Sequence, residues 1–181
     1  GEANIKQGDE ILLSIMEHHS NLVPWQLLAQ RTGCLLRHVG INESGELDLD
    51  DFHSKLTDRT RLISLVHISN VLGCCNPLKQ VISSGHAAGA LVLVDACQSL
   101  AHKSIDVSTL DADFLVGSSH KLCGPTGMGF LWAREALLEA MPPFLGGGEM
   151  IEDVFLDHST WATLPHKFEA GTPAIGEAVG M

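Results

Sequence analysis

Hydrophobic residues in this chain fall into short continuous runs separated by amphipathic stretches. Glu10 to Ile15 (EILLSI), Cys34 to Val39 (CLLRHV), Thr60 to Ile68 (TRLISLVHI), Ala90 to Val94 (ALVLV), Phe114 to Val116 and Phe130 to Trp132 read as strands. A run such as ALVLV, with no polar alternation, suits a strand covered on both faces, as in a parallel sheet flanked by helices. Helical segments lie between the runs. Pro24 suits a first helical turn, Trp25 to Arg31 continues it, and Gly33 stops it. Asp48 to Leu56 forms a helix whose leading carboxylates complement its positive end. Pro77 opens a helix that runs to Ala88 and closes at Gly89. Glu135 to Met141 reads as another helix, and Asn42 to Gly45 as a turn. This alternation predicts an α/β protein: three layers, α/β/α, around a mostly parallel sheet. Beyond Pro142-Pro143 the pattern fades. Residues 145–149 (LGGGE) and 168–173 (FEAGTP) are loop-rich, and loops of this kind carry function. The closing AIGEAVGM reads as helix.

Composition narrows the function classes. The chain has 181 residues, 45% hydrophobic and 18% charged, which suits one domain or one large piece of a longer chain. The absence of an initial Met and a last residue inside a helical pattern favour the second. A formal net charge of -11 and the lack of any basic run argue against nucleic-acid binding. No apolar stretch approaches the roughly 20 residues of a membrane-spanning helix. The five cysteines, Cys34, Cys74, Cys75, Cys97 and Cys123, are odd in number and form no CxxC pair. Neither a zinc nor a disulfide framework is expected, and reduced intracellular thiols are. The histidines form no HxxH or HExxH, so no metal site is expected. GPTGMG lacks the GK[ST] of a nucleotide-binding loop.

The chemistry gathers where apolar runs end. The Phe114 run stops at Gly117-Ser118-Ser119-His120-Lys121 and returns through the glycine-rich GPTGMG. EILLSI leads into MEHHSN with His18, TRLISLVHI into Ser69-Asn70, and ALVLV into Asp95, with Gln98 one short turn later. In a parallel sheet these ends share one edge, where ligands of open α/β sheets bind. Each residue has a plain alternative: Asp95 as a helix cap, His18 and His19 as surface histidines, Asn70 in a turn, Gln98 and Lys121 as solvated side chains. Pyridoxal phosphate accounts for the set together. Its aldehyde takes a lysine as a Schiff base, its ring nitrogen takes a carboxylate that keeps it protonated, and its phosphate takes several donors.

The stretches MEHHSNLVPW, HISNVLG, VDACQS, SSHKLCGPTGMGFL, PPFLGGGEM and FEAGTPAIGEA resemble the SufS-type cysteine desulfurases, in the class V aminotransferase branch of fold-type I pyridoxal-phosphate enzymes. VDACQS, SSHKLCGPTG and DVFLDHST are similar to plastid and cyanobacterial members. The resemblance implies that residues 1–181 are the central part of the PLP-binding large domain, with 142–181 its loop-rich end. It implies Lys121 as the Schiff-base lysine, Ser118 and His120 as phosphate ligands, and Asp95 at the ring nitrogen. Gln98 would lie near the phenolic oxygen, His18 would stack on the ring and act in acid–base steps, and Asn70 would lie near cofactor and substrate carboxylate. Thr172 would reach a phosphate across a homodimer interface. The implied activity converts L-cysteine to L-alanine and an enzyme-bound persulfide for a sulfur-acceptor protein of iron–sulfur cluster assembly. The implied place is soluble and intracellular, in the plastid stroma of a photosynthetic eukaryote or otherwise the cytoplasm. The family's nucleophilic cysteine motif, its substrate-binding arginine and its upstream Gly/Thr phosphate loop are not in these residues, and Cys97 and Cys123 read as buried structural cysteines. A selenocysteine lyase, an aminotransferase or a non-catalytic PLP-binding scaffold of the same family are the alternatives.

Overall fold

The computed structural model describes residues 4–181. Among them a six-stranded sheet has the order β2-β1-β3-β4-β5-β6. Its strands are β1 (Glu10–Ser14), β2 (Leu35–Val39), β3 (Thr60–Val66), β4 (Leu91–Asp95), β5 (Phe114–Ser118) and β6 (Gly129–Ala133). The first five pair in parallel, and β6 runs antiparallel to β5. Helices α1 (Val23–Thr32), α2 (Leu49–Lys55), α3 (Leu78–Ala87) and α4 (Val107–Leu110) fill the crossovers, and α5 (Glu135–Ala140) follows β6. The expected α/β layering with a mostly parallel sheet is therefore present.

Local chemistry sets the helix ends where the sequence places them. Proline occupies the first turn of α1, and Gly33 closes it in the left-handed region at φ 75°, its N–H donating to Ala29 O. Asp48 caps α2 by accepting from Asp51 N at 2.9 Å. The TRLISLVHI run ends as a strand two residues early. His67 and Ile68 turn toward an antiparallel bridge between Ile68 and Cys75, which brings the following segment back over the strand ends. Within 142–181 the chain is more regular than its composition predicts. β7 (Ile151–Val154) and β8 (Ser159–Trp161) form a hairpin, and α6 (Ile175–Gly180) follows.

Both faces of the sheet bury side chains. Leu12, Ile63, Leu65, Val92, Val94 and Leu115 meet Phe52 of α2 and Leu78, Val81 and Ile82 of α3. Gly85 lets α3 approach closely, since a Cβ there would come within 2.6 Å of Ile63 Cδ1. On the other face Ile11, Leu13 and Leu62 pack with Leu28 and Trp25 of α1. No helix among the described residues is long and apolar enough to cross a membrane.

At the amino edge of the sheet, buried acids are paired. Glu10 is fully buried and accepts from Arg59 Nη2 at 2.8 Å, Arg37 Nη2 at 2.9 Å and Thr57 Oγ1 at 2.7 Å. Burial alone would raise the Glu10 pKa, but the Thr57 hydroxyl and the two guanidinium groups outweigh it and hold the carboxyl below its ordinary range. The Lys6 N–H and Arg61 lower Asp9 in the same sense, and the Gly40 N–H and Lys55 lower Asp51. For a depressed carboxyl, the unfolded chain takes up protons that the folded chain does not, so acid favours unfolding. Stability supplied by these groups is present above their unfolded pKa values and is lost as pH falls through the folded ones. Denaturant midpoints should therefore be lower at pH 3 than at pH 7, and equal midpoints would contradict this account.

Candidate active site

Parallel register brings the polar strand ends to one edge. Leu13 of β1 pairs with Ser64 of β3, Ser64 with Leu93 of β4, and Leu93 with Phe114 of β5. Two residues on, Val66, Asp95 and Val116 are again neighbours. His18, His67, Asn70, Cys97, Gln98 and Ser118 to Lys121 all follow just beyond this level. The antiparallel β6 starts at the same edge, with Gly129 opposite Ser118.

The centre is at the ends of β4 and β5. Asp95 is buried and accepts from Cys97 N at 2.9 Å. The bond closes a turn, and no helix follows Asp95 before α4, so the helix-cap alternative does not describe it. Among the described residues no Lys, Arg or His forms an ion pair with it. Cys97 Sγ lies 3.4 Å from Ser118 Oγ. Burial raises the Cys97 thiol pKa, the Ser118 hydroxyl and the Lys121 charge lower it, and the Asp95 carboxylate raises it further. Asp95, Cys97 and Ser118 thus meet at the ends of β4 and β5, and Lys121 follows three residues after Ser118. Lys121 sits in a 3-10 turn, Ser119–Leu122, that continues directly from β5. It is half-buried, and among the described residues its amine forms no ion pair. Ser119 Oγ is buried without a hydrogen-bond partner among the described residues, and a Cβ at Gly124 would collide with it.

The remaining expected residues surround this centre at different depths. His18 is exposed at the end of β1 and caps a 3-10 turn, His19–Asn21. Its Nδ1 lies 2.5 Å from Ser20 Oγ and accepts from Ser20 N at 3.2 Å. Gln98 is half-buried in the turn after Asp95, Asn70 is exposed in the turn after β3, and His120 is exposed beside Lys121. Thr172 is exposed in a loop tied to the glycine-rich segment by Gly171 N donating to Gly148 O at 2.9 Å. Among the described residues no hydrogen bond or ion pair joins it to the strand ends. The expectation that Cys97 and Cys123 are buried fails for Cys123, which is exposed, while Cys97 is half-buried. Cys123 ends the 3-10 turn in the left-handed region at φ 64°, which turns it out of the core.

Sequence reasoning passed over Glu17 and His67. Glu17 is buried one residue before His18 and is held by Ser14, Asn21 and Val66. Nothing in the sequence near Glu17 marks it as buried, since its partners come from three separate segments. His67 donates its backbone N–H to Asp95 O at 2.9 Å. Burial, then the Lys103 charge, lowers its pKa, and its Nδ1 has no partner among the described residues.

A buried carboxylate without a cation is costly unless a ligand supplies the positive charge. The arrangement of Asp95, an unpaired Lys121 amine and clustered hydroxyls therefore suits a flat cationic heterocycle carrying an aldehyde and an anionic arm. Such a site on the carboxyl edge of a mostly parallel sheet defines a cofactor-binding α/β domain. The chain belongs to the aminotransferase class-V family, whose profile matches residues 1–181. It is 56% identical over 181 residues to a probable cysteine desulfurase of Synechocystis sp., covering all of this chain and 43% of that protein. Among solved structures, the cysteine desulfurase CsdA of Escherichia coli superposes with a TM-score of 0.96 at 43% identity, over 99% of this chain and 45% of that one. A C-DES mutant with glycine covalently linked to the PLP cofactor superposes with a TM-score of 0.87 at 27% identity, over 98% of this chain and 48% of that one. The chain thus spans less than half the length of these relatives.

Gly129 tests the close pairing at the site's edge. A Cβ there would lie 2.7 Å from the Gly117 carbonyl oxygen, a backbone atom that cannot swing aside. Gly129→Ala should lower unfolding free energy by about 1–3 kcal/mol in urea titrations, and an unchanged midpoint would refute this packing.

Proposed function

We propose that the chain is the central part of the pyridoxal-phosphate-binding large domain of a SufS-type cysteine desulfurase. The contacts that join Asp95, Cys97 and Ser118, with Lys121 in the turn that continues from β5, carry this reading, and the likeness to cysteine desulfurases at 43–56% identity supports it. The fit to the cofactor is chemical. Lys121 offers an amine without an ion-pair partner among the described residues, Asp95 a buried carboxylate for a ring N–H, and Ser118 and His120 donors for a phosphate. His18 offers a flat ring at the end of β1, Gln98 and Asn70 line the same edge, and Thr172 would contact the phosphate bound in the partner of a homodimer. When bound, pyridoxal phosphate supplies the electron sink that makes an α-carbon acidic.

Each residue then has a defined task. The Asp95 carboxylate holds the proton on the ring nitrogen; a charge-assisted hydrogen bond of this kind contributes on the order of 1.5–3 kcal/mol. Lys121 or His18 would move the proton at Cα of L-cysteine. Asn70 orients the substrate carboxylate. The whole protein converts L-cysteine to L-alanine and passes sulfur to an acceptor protein of iron–sulfur assembly. The chain is soluble and intracellular, and in a photosynthetic eukaryote it resides in the plastid stroma.

An absorbance spectrum of the full-length protein tests the cofactor assignment. The band of lysine-linked pyridoxal phosphate should be present and should disappear in Lys121→Ala without loss of fold; a surviving band would remove Lys121 from its role. Profiling L-cysteine against L-selenocysteine and keto-acid acceptors separates desulfuration from sister reactions. The 181-residue chain alone should yield no alanine or sulfide from cysteine above a no-enzyme control, because the family's nucleophilic cysteine lies outside it. Measured product would overturn that division of labour.

A further inference from the structure

The candidate site holds a second buried carboxylate, for which the proposed chemistry has no task. Glu17 is 8% exposed. Ser14 Oγ donates to its Oε1 at 2.5 Å, Val66 N to the same oxygen at 3.2 Å, and Asn21 Nδ2 to Oε2 at 2.6 Å. These donors come from the end of β1, the end of β3 and the 3-10 turn. Val66 is the register partner of Asp95. The Asn21 amide oxygen in turn accepts from Ser64 Oγ at 2.6 Å and from Trp25 Nε1 at 3.2 Å. The residue after Glu17 is His18, so one carboxylate ties the His18 peptide to the strand beside Asp95.

The geometry requires an acceptor on both oxygens. A glutamine could accept from Ser14 and Val66 on its oxygen, but its amide N–H would then face Asn21 Nδ2. Asn21 cannot turn its oxygen around without abandoning Ser64 and Trp25. An ionised carboxylate satisfies all three donors. The Glu17 pKa lies above its ordinary value: burial raises it most, the hydrogen bonds from Ser14, Asn21 and Val66 lower it, and the Asp95 charge raises it again, so it is the three donors that favour the ionised form. Among the described residues no cation pairs with Glu17 or Asp95.

We propose that Glu17 is a positioning residue of the site: its carboxylate sets where His18 lies relative to Asp95, and its charge adds to that of Asp95 in favouring a cationic ring beside them. This rests on the pyridoxal phosphate reading. The test is made in the full-length protein, with pyridoxal phosphate affinity of the apoprotein and the absorbance band of the bound cofactor as readouts. Glu17→Gln should weaken cofactor binding by about tenfold, the scale of one charge-assisted hydrogen bond network disturbed, and alter the band. Ser14→Ala, which removes one donor and leaves the acid, should weaken binding by about threefold. Val81→Ala, in the core between α3 and the sheet, should lower the melting temperature and leave both readouts unchanged. Wild-type affinity and band in Glu17→Gln would reduce Glu17 to a structural tie and overturn the proposal while leaving the cofactor reading intact. If Glu17→Gln does not fold, wild-type affinity in Ser14→Ala overturns it. If the unchanged protein takes up no pyridoxal phosphate, the cofactor reading fails and this proposal fails with it.

Discussion

Parallel pairing is the constraint on which the rest of the molecule depends. Five adjacent strands run in the same direction, so their carboxyl ends must lie on one edge. Both faces of the sheet are apolar, one covered by α2 and α3 and the other by α1 over β1 and β3, so the polar side chains gather at the strand ends. Residues far apart in the chain, such as Glu17, Asp95 and Lys121, come to the same edge for this reason alone. The antiparallel β6 returns the chain to that edge and closes the turn that carries Lys121.

The two ends of the sheet treat buried charge in opposite ways. At the amino edge each of these buried acids has a cation: Glu10 has Arg37 and Arg59, Asp9 has Arg61, and Asp113 has Arg134 at 3.0 Å, with the His86 ring hydrogen-bonded to it at 2.8 Å. Those pairs hold strands and crossovers together. At the carboxyl edge Asp95 and Glu17 are buried with hydrogen bonds but, among the described residues, with no cation. Removing an ionised acid from water without a counter-charge is unfavourable by several kcal/mol. On the proposed reading, the cationic ring of the cofactor would supply the positive charge that these two acids lack. The same physics yields scaffold at one end and site at the other.

Much of this was legible in the chain. Glu10 to Ile15, Ala90 to Val94 and Phe114 to Val116 are apolar runs too short for helices and too continuous for an exposed sheet, and each became a buried strand within a residue or two. Pro24, Gly33 and Asp48 marked helix ends because their backbone preferences act locally. His18, Asp95 and Lys121 stood out because a polar residue ending an apolar run is easily seen. Less was legible where the deciding contacts are distant. The β7-β8 hairpin arises in a segment whose glycines and prolines read as loop. Cys123 was expected inside, but a left-handed backbone at the end of a 3-10 turn turned it outward.

Local residue order therefore determined which elements form, where they stop and which polar groups stand at their ends, because propensity, capping and hydrophobic period act over a few neighbours. Tertiary structure alone decided the sheet order, the register that sets Asp95 beside Val66 and Val116, and the role of Glu17. That acid looks like an ordinary surface residue until Ser14, Asn21 and Val66 close around it from three segments. Burial and partnership are properties of the assembled layers, and no window of the sequence contains them.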